Sequence, residues 1–119
     1  MLTSPGWTWP LATLVTVHDG DTVRLSIDNG FGSRAVEWIR LEDVWAPELS
    51  EPGGALARDL CIAWFVAHAP DQVVSVTTYR TSTPLELRFR QSFTRYIGQI
   101  ASRAGESLNA HLTGLGYRA

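Results

Sequence analysis

The chain has 119 residues, of which ten are arginine, none lysine and twelve acidic, for a formal net charge of −2. One compact domain fits that length, and 45% apolar with 18% charged residues excludes intrinsic disorder. No apolar run approaches the roughly 20 residues of a membrane-spanning helix, and no secretory leader opens the chain. The lone Cys61 excludes an internal disulfide framework and a cysteine-built zinc site, so a soluble, cytoplasmic domain is expected. Charge is uneven: residues 1–60 hold nine acids and four arginines, residues 61–119 three acids and six arginines. With a mildly acidic balance overall, any anionic ligand must be met by a local arginine group.

Residues 1–10 read as an N-terminal extension, and Leu11–His18 alternates as a first strand. Asp19-Gly20 supplies a tight turn, after which Thr22–Ile27 alternates again. A second turn over 28–33 leads to a third strand from about Ala35 to Asp43. Beyond Pro47 and Pro52 the period changes: Leu56, Leu60, Ala63/Trp64 and Ala67 recur at helical spacing within Gly53–His68. Val73–Tyr79 is β-branched and predicts a fourth strand, Phe93–Ile100 a fifth. Ser107–Leu115 predicts a short helix, capped by Ser107 and ended by Gly116, with Leu108, Leu112 and Leu115 on one face. The order βββ–α–β–β–α with five short strands predicts a mainly β fold, a five-stranded OB-fold barrel. Trp38 and Trp64 are expected in the core by their size, and Cys61 as a small buried group. Trp7 and Trp9 offer an aromatic pair for a protein partner or a stacked base.

Three separated segments carry the polar residues of interest. Asp19-Gly20-Asp21-Thr22 puts a carboxylate at a strand start, in reach of a cation or a phosphate-bound water. Trp38–Glu48 holds Arg40 in a strand and Glu48 just past the proline that stops it. Ser92–Ile100 holds Arg95. Each alone reads more readily as a hairpin turn, a surface ion pair or an edge charge.

Together, D-G-D-T, then R-L-x-x-x-x-A-P-E, then aromatic-x-Arg entering the last strand, resemble the staphylococcal-nuclease-like (thermonuclease) family from about Val15 to Gly116. The resemblance implies a five-stranded OB barrel and a calcium-dependent nuclease cutting DNA and RNA to 3′-phosphate ends. By the same resemblance Glu48 is the general base, Arg40 and Arg95 hold the phosphate, Asp21 is a Ca²⁺ ligand, and Asn109 opens the late helix. The chemistry suits those residue types: guanidinium forks onto two phosphate oxygens, and a carboxylate takes the proton of the attacking water.

The pattern departs from the family at three places. Trp45 stands where the second metal-binding aspartate belongs, and indole cannot ligate Ca²⁺, leaving Asp21, the Ala46 carbonyl and water, with Asp19 or Asp43 as possible substitutes. Thr94 replaces a glycine before Arg95, so that Arg88 or Arg90 are alternatives for the second arginine. The chain closes shortly after the second helix, where Tyr117 could stack on a base or pack on the barrel. The alternative expectation is an OB module of weak or no activity that binds nucleic acid or a protein partner, for example in a phage assembly.

Overall fold

Alternation of inward and outward residues along five strands makes each strand bury one face, and closing the sheet on itself buries all those faces together. The computed structural model describes residues 7–79 and 95–119. Strands β1 (Trp7–Asp19), β2 (Thr22–Gly30), β3 (Ser33–Leu41), β4 (Val73–Tyr79) and β5 (Arg95–Ala101) close into a barrel in the order β1-β2-β3-β5-β4. All neighbours are antiparallel except β3 and β5, which run parallel from Trp38↔Arg95 to Leu41↔Gly98. Among the described residues the helices are α1 (Gly54–His68) and a short α2 (Leu108–Gly114), so the mainly β, OB-like barrel expected from sequence is the architecture found.

Val17, Val23, Leu25, Ile39, Leu41, Val74, Val76 and Ile100 fill the barrel interior, with Cys61, Trp64 and Phe65 of α1 and Leu108 and Leu112 of α2 added to the same core. Burying a full Leu, Ile or Phe side chain is worth roughly 1.5–3 kcal/mol, so the interior dominates stability. Burial pushes the Cys61 thiol up to about 12, an inert apolar group at any ordinary pH.

Several boundaries and faces differ from the sequence expectation. β1 starts at Trp7, within the stretch read as an extension, because Trp7, Thr8 and Trp9 pair with Thr78, Thr77 and Val76 of β4. Gly20 and Asp21 form the first turn, with Asp19 closing β1 opposite Thr22, so Asp21 belongs to the turn itself. The second hairpin tightens to Phe31-Gly32, and β3 ends at Leu41 instead of Asp43, which turns the chain at φ 64°. On α1 the buried face is Gly54, Ala57, Cys61, Trp64 and Phe65, while Leu56, Ala63 and Ala67 are exposed. The small Ala57 faces inward where the helix lies close to the first turn: a Cβ added to Gly20 would stand 2.8 Å from that of Ala57. Leu115 caps α2 from outside the core and is exposed, whereas Ser107 caps the other end by accepting from the Ala110 N–H. Trp38 is not a core residue: it is half-buried on the outer wall, because its neighbour Ile39 takes the inward phase of β3. The predicted start of β5 at Phe93 lies outside the described residues.

Candidate active site at the barrel rim

The β1–β2 turn must pass between α1 and the loop after β3, and only a glycine fits there: a Cβ on Gly20 would meet that of Ala46 at 2.7 Å. This close approach aims the next residue, Asp21, at the loop. Its Oδ2 accepts from the Ala46 N–H at 3.1 Å and lies 3.4 Å from Arg40 Nη1, while Oδ1 accepts from the Thr22 hydroxyl at 3.0 Å. Asp21 is buried and Arg40 is 28% exposed at its side chain. Two segments widely separated along the sequence are thus joined at one rim. Strand register assists, since Thr22 pairs with Arg40 across β2 and β3, and the Leu41 N–H donates to the Asp21 carbonyl.

Arg40 also closes its own loop. Nη1 donates to the Val44 carbonyl at 2.7 Å and the Leu41 carbonyl at 3.3 Å. Among the described residues all its hydrogen bonds run through Nη1, so Nε and Nη2 keep their donors for another acceptor.

Glu48 follows two residues after Ala46 and is exposed. Its backbone is pinned from both sides: its N–H donates to the Glu51 carboxylate at 2.8 Å, and its carbonyl accepts from the Glu51 N–H at 2.9 Å. Gly54, the first residue of α1, packs on that same carbonyl so tightly that a Cβ would overlap it. Glu48 therefore projects from a fixed turn.

A second carboxylate, Asp19, is buried beside Asp21 and accepts from the Asp21 N–H at 3.2 Å. Desolvation, with the neighbouring Asp21 carboxylate adding to it, raises its carboxyl to about 6. His18 lies 3.9 Å from its outer oxygen.

The remaining candidates divide. Arg95 is placed by its backbone alone, in register with Trp38, two residues before Arg40 on β3. Arg88 and Arg90 lie outside the described residues. Trp45 is 53% exposed, its N–H donating to the Tyr117 carbonyl. Tyr117 itself is half-buried against the core. Asp43 is exposed, and its carbonyl accepts from the Ala119 N–H. Of Ala46, the group that meets Asp21 is the N–H, not the carbonyl.

The expected calcium can be weighed against this donor set. Among the described residues no three His, Cys, Asp or Glu side chains gather into a metal-holding group. Ca²⁺ takes about six to eight oxygens; the rim offers Asp21 and Asp19, and an arginine already stands against Asp21. Among the described residues the rim thus offers two carboxylates, short of a full protein cage for such an ion.

Three contributors escaped the sequence reading. Gly20 and Gly54 act by their lack of a side chain, legible only once their neighbours are known. Thr22 fixes the Asp21 rotamer, and its place in the D-G-D-T run was the available signal. Among the described residues no helix is long and apolar enough to cross a membrane. Compared with models of known protein families and with curated proteins, the chain matches none.

Proposed function

We propose that the protein is a nuclease of the thermonuclease type, hydrolysing phosphodiester bonds of DNA or RNA at this rim. The observation that carries the reading is the meeting of Asp21, Arg40 and the Ala46 backbone, which unites the D-G-D-T and R-L-x-x-x-x-A-P-E motifs and, among the described residues, leaves one edge of the Arg40 guanidinium uncommitted. That edge suits two oxygens of a phosphate. Glu48, exposed on its fixed turn, takes a proton from water as the water oxygen bonds to phosphorus. The bond from phosphorus to the 5′ oxygen breaks, and that oxygen leaves with a proton from solvent. Arg40, with Arg95 as the second guanidinium, stabilises the charge gathering on the phosphoryl oxygens. A divalent cation held by Asp21 and Asp19 would offset part of that charge.

A second reading has its own support. Nη1 of Arg40 is committed to Asp21 and the loop, and Trp45 presents an exposed indole where a further carboxylate would serve a metal. A barrel that binds nucleic acid without cutting it fits those two features.

Cleavage of plasmid and single-stranded DNA with Ca²⁺, with Mg²⁺ and with chelator separates the readings. The nuclease reading expects divalent-dependent cutting, lost in Glu48→Gln and reduced about 10²–10³-fold in Arg40→Ala. Binding without cutting at every metal concentration overturns it in favour of the binding module.

A further inference from the structure

The outer wall of the barrel beside the rim carries a cation that the rim does not use. Arg24 of β2 pairs with Trp38 of β3, and its guanidinium carbon lies 5.2 Å from the centre of the Trp38 ring. The ring of His18, exposed on β1, meets Trp38 edge-on at 5.6 Å. Among the described residues, Arg24 takes part in none of the ion pairs, and its Nε is buried with no hydrogen-bond partner. A buried guanidinium donor without an acceptor is costly, and the half-buried Arg24 keeps its charge unmatched among the described residues.

Register relates this cluster to the rim. Thr22↔Arg40 and Arg24↔Trp38 are successive outward-facing pairs of the β2–β3 ladder, with the inward pair Val23↔Ile39 between them. Two residues along a strand span about 7 Å, a length that one nucleotide of an extended single strand can cover. Resting on the nuclease reading of the rim, we propose that Arg24, stacked on Trp38 and flanked by His18, forms a second nucleotide subsite that holds an unpaired base and its phosphate. The substrate is then a single-stranded polynucleotide laid along the β1–β2–β3 wall. Guanidinium planes and aromatic rings both accept stacked bases, and stacking needs a base that is free of its complement. A phosphorylated peptide would satisfy the charge of Arg24 but would not use the planar stack.

The test is binding of a fluorescein-labelled 12-nucleotide oligothymidylate, read by anisotropy in chelator so that the strand stays intact. Arg24→Gln is expected to weaken binding about tenfold and to lower the salt slope by about 0.7. Arg24→Lys should restore the slope but not the full affinity. Trp38→Leu should weaken binding with the slope unchanged, and Arg103→Gln, on an exposed residue paired with Asp71, should match the unaltered protein. Equal affinity and slope in Arg24→Gln overturns the subsite, as does equal binding of the same strand in duplex form. A phosphoserine peptide bound as tightly with the same dependence on Arg24 also overturns it. Cleavage by the unaltered protein and its loss in Glu48→Gln judge the rim alone, so the two readings fail separately.

Discussion

Two buried polar knots hold this barrel together, and only one has capacity to spare. At one, Asn109 in α2 accepts from the Ile100 N–H at 3.0 Å and donates to the Glu42 carbonyl at 2.9 Å and the Gly98 carbonyl at 3.0 Å. At the other, Asp21 and Arg40 join the first turn to the loop after β3. Both knots tie together segments remote in sequence. The Asn109 knot is neutral and consumes three of the four hydrogen bonds an amide side chain can form, all with backbone of the same molecule. The rim knot is ionic, partly exposed, and among the described residues keeps guanidinium donors unspent. Completed networks of the first kind hold folds together; incomplete ones of the second kind are where a ligand can enter.

This contrast can be broken by substitution. Asn109→Ala would strand one N–H and weaken the pairing of two carbonyls in the interior, costing about 3–4 kcal/mol. Arg40→Ala should cost only about 1–2 kcal/mol, since the Ala46 N–H and Thr22 hydroxyl still satisfy Asp21. Urea unfolding of both variants measures the order. If Arg40→Ala proves the more destabilising, the rim knot is structural and its distinction from Asn109 is lost.

The sequence made the sheet legible because strand alternation is a local signal. It also offered the phase of β3: Ile39 and Leu41 are inward, so Trp38 and Arg40 must be outward, yet the size of Trp38 outweighed its phase in the reading. The α1 face was misjudged for the opposite reason. Its large residue Leu56 is exposed while Gly54 and Ala57 are buried, Ala57 against Gly20 of the first turn, which is tertiary information. At the rim, the meeting of Asp21 with Arg40 was expected from the D-G-D-T and R-L-x-x-x-x-A-P-E motifs and is found at 3.4 Å. The burial of Asp19 and the pairing of Arg24 with Trp38 depend on register across the sheet, which no single strand reports.

A glycine sharpens the comparison further. Glu48 is exposed, but the turn that carries it leans on Gly54 through its backbone. Gly54→Ala would push a methyl group into the Glu48 carbonyl, with an expected cost of about 2–3 kcal/mol. On the proposed nuclease reading, the displaced turn should also lower the cleavage rate of the protein that remains folded. Thermal unfolding together with kcat separates the two effects, and a variant as active per folded molecule as the parent would show that Glu48 does not need this support.

The smallest effect expected is in the pH dependence of the rim. Asp19 is more easily protonated in the fold than in the unfolded chain, with its carboxyl raised from 3.8 to about 6 by burial and by Asp21. Between those values the folded state binds more protons than the unfolded state, so this group's contribution to stability falls as pH rises from about 4 to 6 and is level above. Solvent screening at the rim keeps the expected fall on the order of 1–2 kcal/mol. Asp19→Asn retains an oxygen to accept from the Asp21 N–H and removes the titration. Relative to the parent, its stability should therefore rise across that window and stay higher at pH 7.5, as urea midpoints at several pH values would record. No such difference would mean that Asp19 ionises freely in the fold. The rim would then be as settled electrostatically as the Asn109 knot is by hydrogen bonds.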